Sequence, residues 1–202
     1  MRGVCLTVLA KAPLPGLAKT RLIPALGSEG AARLAERLLA HTLVQARAAG
    51  FERLRLLGSP DATHPAFQAQ AGGAELGAQR GQDLGERMHN ALLEGLSGHA
   101  RALLIGTDAP RLDAARLHQA AEALREVDAV FVPALDGGYA LVGLRTHAQP
   151  ALFQGMVWST PRVMAETRQR LQAAGLRHLE LDPVGDVDEP DDLVHLPAGW
   201  LP

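Results

Sequence analysis

The run Val4-Cys5-Leu6-Thr7-Val8-Leu9-Ala10 is apolar, β-branched and free of charge. A segment of that kind reads as a strand buried on both faces, which is the situation of a strand inside a parallel sheet covered by helices. The residues after it therefore stand at a strand's carboxyl end. They read Lys11-Ala12-Pro13-Leu14-Pro15-Gly16-Leu17-Ala18-Lys19-Thr20-Arg21. Two prolines remove backbone donors and Gly16 permits a positive φ, so this stretch is a turn rather than more strand or an immediate helix. The chain has only two lysines, Lys11 and Lys19, and both lie in this loop.

In open α/β sheets ligands bind over the carboxyl edge, and a loop carrying Lys11, Lys19 and Arg21 there suits a polyphosphate or another multiply charged anion. A solvated basic loop is the plainer alternative. Lys19-Thr20 resembles the end of a Walker A loop, but the positions that pattern reserves for glycine hold Ala18 and Pro13. No G-x-G-x-x-G comes after the first strand, which disfavours a dinucleotide-binding site.

Short apolar runs recur at 54–57, 102–105, 129–132 and 139–142, with helical periodicity at 28–50 and near 83–96, 113–125 and 161–174. Ser28 stands as a cap for the first helix, and Ser159 or Thr160 for the one led by Pro161. The alternation predicts a layered α/β sheet, and 202 residues fit a single domain over 1–202. A net charge of −2 and 3% aromatic content supply neither the basic field nor the stacking platforms of a nucleic-acid binder. No apolar stretch approaches the roughly 20 residues that span a bilayer. One cysteine, Cys5, excludes an internal disulfide framework, and a cytoplasmic location is the expectation.

Acidic residues supply the second source of chemistry. Asp108 comes after the run 102–105 through Gly106-Thr107, again at a strand's carboxyl end, where it serves either a metal or hydroxyl, or caps the helix after Pro110. The segment Asp186-Val187-Asp188-Glu189-Pro190-Asp191-Asp192 carries five carboxylates in seven positions. Such density repels itself without a cation or many donors, although capping by Asp188 and dipole compensation by Asp191 and Asp192 is a structural alternative. Mg²⁺ is held by one or two carboxylates plus substrate phosphates, so Asp108 with one C-terminal aspartate would suffice. Gln79 to Arg87, including Asp83, either faces a ligand or caps the next helix. Asp136-Gly137-Gly138-Tyr139 either brings backbone close to a ligand or forms a plain hairpin.

Taken together, Lys11-Ala-Pro-x-Pro-Gly-x-x-Lys19-Thr-Arg21-Leu, Gly106-Thr-Asp108-Ala-Pro110, Asp136-Gly-Gly-Tyr139, Trp158-Ser-Thr and Asp186-Val-Asp188-Glu-Pro-Asp-Asp-Leu193 resemble the DUF2064 transferases, also called selenodomain-associated transferase 1, of the nucleotide-diphospho-sugar transferase superfamily. The resemblance runs essentially end to end. It implies a GT-A-like, Rossmann-related three-layer sandwich with a mostly parallel central sheet, and a metal-dependent transferase using Mg²⁺ or Mn²⁺. By similarity Asp108 and Asp188 are the metal ligands, Glu189 and Asp191 departing from the related Thr and Glu. Lys19, Arg21 and Asp108 are the catalytic set. Lys11, Pro13, Gly16, Lys19, Thr20, Arg21, Gln79 and Asp83 fall to the nucleotide, and Asp136, Gly137, Gly138 and Trp158 to a small-molecule acceptor. Several loop cations, and a lone Asp108 instead of Asp-x-Asp, favour nucleotidyl transfer from a nucleoside triphosphate to a phosphorylated or sugar-like acceptor. Glycosyl transfer from a nucleotide sugar, with Asp136 at the acceptor, is the alternative, and a nucleotide-binding module without turnover is a third. Oligomeric state, a homodimer included, is left open.

Overall fold

A computed structural model describes residues 3–200. Seven strands form one sheet in the order β3-β2-β1-β4-β6-β5-β7: β1 Val4–Lys11, β2 Arg53–Ser59, β3 Glu75–Ala78, β4 Arg101–Ile105, β5 Ala129–Pro133, β6 Tyr139–Arg145 and β7 His178–Glu180. All neighbours are parallel except β6, which runs antiparallel to both β4 and β5. Every residue of β1 from Val4 to Ala10 is buried and only Lys11 is exposed, so the uncharged run is a central strand.

Helices cover both faces: α1 Ile23–Ala48, α2 Pro65–Gln70, α3 Leu84–Leu96, α4 Ala114–Ala123 and α5 Val163–Ala173. Leu39 and Leu43 of α1, Phe67 of α2 and Leu117 of α4 pack against Leu6, Val8, Leu103 and Ile105. On the other face Met88 and Leu92 of α3 and Met164 and Leu171 of α5 pack against Leu9, Leu104, Phe131 and Val142. The result is the layered α/β sheet expected from the alternation of runs, in the three-layer form that the resemblance implies. Among the described residues no helix is long and apolar enough to cross a membrane.

Several local expectations change. The first helix starts earlier than Ser28, at Ile23, and is interrupted at Gly27, whose φ of 71° and ψ of 166° lie outside the helical region. Neither Ser159 nor Thr160 caps α5. Arg162 precedes it, Ser159 adopts φ 60°, and Thr160 Oγ1 instead donates to Val157 O. The acidic segment leads into a 3₁₀ helix at Pro190–His195, whose N-cap is Glu189 rather than Asp188. Asp192 accepts the backbone N–H groups of both Asp188 and Glu189, so its carboxylate is spent on the turn.

Candidate active site

The parallel strands β1 and β4, and the start of the antiparallel β6, all open on one edge of the sheet. There the Pro/Gly loop after β1 is held by its own backbone: Ala12 donates to Ser59 O, and Leu17 and Ala18 both donate to Leu14 O. Gly16 takes the positive φ of 77° that the turn requires, and Ala18 and Leu22 are buried as anchors. Lys19 then sits in left-handed conformation, φ 48° and ψ 46°, which costs a side-chain-bearing residue about 1 kcal/mol. That backbone delivers its side chain inward, only 7% exposed.

The Lys19 ammonium meets the acidic residues there. Nζ lies 2.6 Å from Asp108 Oδ1, 3.7 Å from Asp188 Oδ1 and 2.6 Å from the carbonyl oxygen of Val187. Arg21 Nη1 donates to Asp188 Oδ2 at 2.6 Å. The two halves of the sequence signal, basic loop and separated aspartates, converge at one point. Asp108 is not a helix cap, because Asp113 accepts Arg116 N at the start of α4; its carboxylate is half exposed and faces the cleft.

Two adjoining cavities of about 530 and 370 Å³ flank this point, a size range that holds small-molecule ligands. Both are bordered by Arg21, Asp108, Tyr139, Ser159 and Asp188. The larger adds Lys11, Lys19, Thr20 and Gln79, the smaller Asp136, Gly138, Trp158 and Asp186. Of the residues expected at a nucleotide, Lys11, Lys19, Thr20 and Gln79 border the larger of these two cavities and Arg21 borders both, whereas Asp136, Gly138 and Trp158 border the smaller. Gln79 is fixed by donating Nε2 to Ala10 O at 2.9 Å and Leu57 O at 3.0 Å. Asp83 is taken up by α3, where it accepts Glu86 N at 2.8 Å, so of its two readings the structure shows the cap. Pro13 and Gly16 shape the loop without bordering either cavity.

Beside the smaller cavity Gly137, at φ 92°, lies against the segment after Trp158: a Cβ there would fall 2.3 Å from Pro161 O. Gly137 is a packing residue of the wall, and its neighbour Gly138 borders the cavity. Trp158 stacks edge-on against Tyr139 at 6.4 Å, and its indole N–H has no partner among the described residues. Ser159 and Thr160, considered above as helix caps, and Asp186, noted above only within the acidic run, also line the smaller cavity. Burial, reinforced by Asp136, Asp192 and Asp108, pushes the Asp186 carboxyl up to about 6.

Among the described residues no three His, Cys, Asp or Glu side chains form a ready metal cage. Two carboxylates converging on one cation still match the donor set of a hard divalent ion that completes its shell with substrate phosphates.

The sheet and cleft define a doubly covered α/β protein with a polar site over its carboxyl edge, of the GT-A-like type. Residues 39–160 match the family described as "Uncharacterized protein conserved in bacteria (DUF2064)", and the chain belongs to that family. A protein of Desulfovibrio desulfuricans G20, provisionally named a nucleotide-diphospho-sugar transferase, is 35% identical with a TM-score of 0.86, over 94% of this chain and 84% of its own. The fold is shared more distantly with Rv0371C of Mycobacterium tuberculosis H37Rv, solved with manganese (19% identity, TM-score 0.59, 95% of this chain and 96% of that one). It is also shared with CMP:2-keto-3-deoxy-manno-octonic acid synthetase in complex with CTP (13%, TM-score 0.60, 95% of each chain). No match was found among curated proteins.

Proposed function

We propose that this chain is a transferase acting on a nucleotide-activated substrate, and that it moves a nucleotidyl group from a nucleoside triphosphate to a small-molecule acceptor with the help of Mg²⁺ or Mn²⁺. The observation that carries the reading is the meeting of Lys19, Asp108 and Asp188 between a cavity bordered by Lys11, Thr20 and Gln79 and one bordered by Asp136 and Trp158. The CTP-bound and manganese-bound relatives of the same fold lend it support.

In this reading Lys11, Lys19 and Arg21 hold the phosphates and stabilise charge gathering on departing pyrophosphate. Asp108 and Asp188 would hold the divalent cation, which supplies charge neutralisation at the phosphates. An acceptor oxygen forms the new bond to the α-phosphorus as the bond to pyrophosphate breaks, and the acceptor's proton passes to solvent or a cleft carboxylate. Asp136 and Asp186, both bordering the acceptor cavity, are the carboxylates placed for that. No protein nucleophile takes part.

Asp136 at the acceptor cavity also suits glycosyl transfer, which would use the same phosphate side for a nucleotide sugar. Calorimetric titration of a panel of nucleoside triphosphates and nucleotide sugars, with and without Mg²⁺ or Mn²⁺, separates the two on native protein and Asp108→Ala. Metal-dependent binding of one triphosphate, lost in the variant, supports nucleotidyl transfer. Selective binding of a nucleotide sugar moves the reading to glycosyl transfer, and no binding overturns both.

A further inference from the structure

Lys19 is one of two lysines in the chain, and their settings differ. Lys11 is exposed at the end of β1, whereas the Lys19 ammonium is in contact with oxygens of Asp108 and Val187, both at 2.6 Å, and has an Asp188 oxygen 3.7 Å away. Those oxygens come from the end of β4 and from the C-terminal segment, and a backbone held in the left-handed region keeps the ammonium among them. A cation surrounded by carboxylate and carbonyl oxygens, and largely stripped of water, occupies the kind of environment that a hard divalent ion also takes. Lys19 also borders the larger cavity, beside Lys11 and Thr20.

We propose that Lys19 is a resident counter-ion for the Asp108–Asp188 pair, exchanged for the divalent cation when the site loads and thereby released to the phosphates in the larger cavity. The inference rests on the metal-dependent reading of the site. Its basis is charge: an ammonium and a divalent cation repel each other strongly when both lie within a few ångströms of the same two carboxylates. Without a polyphosphate, the lysine competes with the metal. With one, the displaced ammonium gains a new anionic partner, so metal and nucleotide each raise the other's affinity by the same factor. Lys19 thus makes the empty site discriminate against metal alone and in favour of metal with nucleotide.

Two measurements test this. In native protein, acetylation by limiting acetic anhydride, read by peptide mass spectrometry, should label Lys11 readily and Lys19 slowly. Mg²⁺ alone at millimolar concentration should raise the Lys19 rate at least fivefold, and Mg²⁺ with a bound nucleoside triphosphate should lower it again. In parallel, Mn²⁺ binding without nucleotide, tracked by electron paramagnetic resonance, should tighten at least tenfold in Lys19→Met. Lys11→Met removes the same charge from the end of β1, where that loop begins, and should change it less than twofold. The cooperative gain between Mn²⁺ and triphosphate should be present in native protein and lost in Lys19→Met. Native protein that binds Mn²⁺ with triphosphate, while Lys19→Met binds Mn²⁺ alone no more tightly and Lys19 reactivity ignores Mg²⁺, overturns the exchange and leaves the metal reading standing. Absence of Mn²⁺ binding in every sample overturns both.

Discussion

Val187 donates its backbone N–H to the carbonyl oxygen of Asp108 at 2.9 Å, tying the C-terminal acidic segment to the end of β4. The Val187 side chain is fully buried with Leu22, Leu34 and Leu38, and its carbonyl accepts Lys19 Nζ. An apolar anchor thus sets the position of Asp188, one residue on, against Asp108 and Lys19. Val187→Ala should cost about 2 kcal/mol through lost burial and a residual cavity. It should also weaken Mn²⁺-dependent nucleotide binding severalfold, because Asp188 loses its fixed support. Thermal melts paired with calorimetry check this; unchanged binding in a destabilised protein would show that Asp188 is held by other means.

Asp108→Asn retains the shape of the side chain and removes its charge. Asp108 caps no helix and its carboxylate is half exposed, but its partner Lys19 is 7% exposed and keeps only the more distant Asp188 carboxylate, so the expected loss of stability is about 1–3 kcal/mol. Metal-dependent turnover should fall at least about a hundredfold, the scale of losing a group that acts on transition-state charge. A variant with near-native rates would remove Asp108 from the reaction.

What the sequence displays is what local chemistry dictates. β1, β4, β5 and β6 are legible because each holds a run of buried, almost wholly apolar residues, β2 because Leu54, Leu56 and Leu57 cluster around the buried Arg55, and α3 to α5 because their apolar spacing faces the sheet. β3 escapes such a reading: at the sheet's edge its four residues are mostly exposed and Glu75 pairs with Arg53, so no apolar run marks it. β7 is a three-residue edge strand, and α2 is a six-residue helix begun by Pro65, both too short for periodicity. Lys19 and Asp108 were legible as charged residues after strand ends, and the resemblance joined Asp108 to Asp188. The contact of Lys19 with both was not legible, since it is made by topology and by the burial of Val187, neither of which has a local signature.

The two glycines of Asp136-Gly137-Gly138-Tyr139 should respond differently to the same change. At Gly137 a methyl group meets Pro161 O at 2.3 Å from a backbone at φ 92°, so Gly137→Ala strains the chain and pushes away the wall that carries Trp158 and Ser159. At Gly138 the nearest atom to a Cβ is Asp136 Oδ1 at 3.2 Å, a side-chain oxygen that can shift. Gly137→Ala should lose about 2–3 kcal/mol and raise the KM for acceptor more than that for nucleotide. Gly138→Ala should stay within about 1 kcal/mol of native stability. Equal losses in chemical denaturation would refute the assignment of Gly137 to wall packing.

Asp128, at the start of β5, makes stability depend on pH. Its Oδ2 accepts the backbone N–H of Arg177 at 3.0 Å, and its Oδ1 accepts Arg145 Nε and Nη2 at 3.2 and 3.1 Å. The Arg177 N–H first, and then the Arg145 guanidinium, hold its carboxyl below the ordinary carboxylate value of 3.8 despite partial desolvation. The folded state therefore favours the ionised form more than the unfolded chain does. The resulting stabilisation is complete above about pH 5 and is lost as pH falls through 3.8 toward the folded-state value. Asp128→Asn keeps the outline and removes the charge, so it should lose about 1–2 kcal/mol at pH 7. Urea denaturation of both proteins between about pH 7 and pH 3 should show that gap narrowing below about pH 4, since protonation turns the native residue into a neutral group like its replacement. A gap of constant size across the range would mean that the loss comes from packing of the amide and not from the charge.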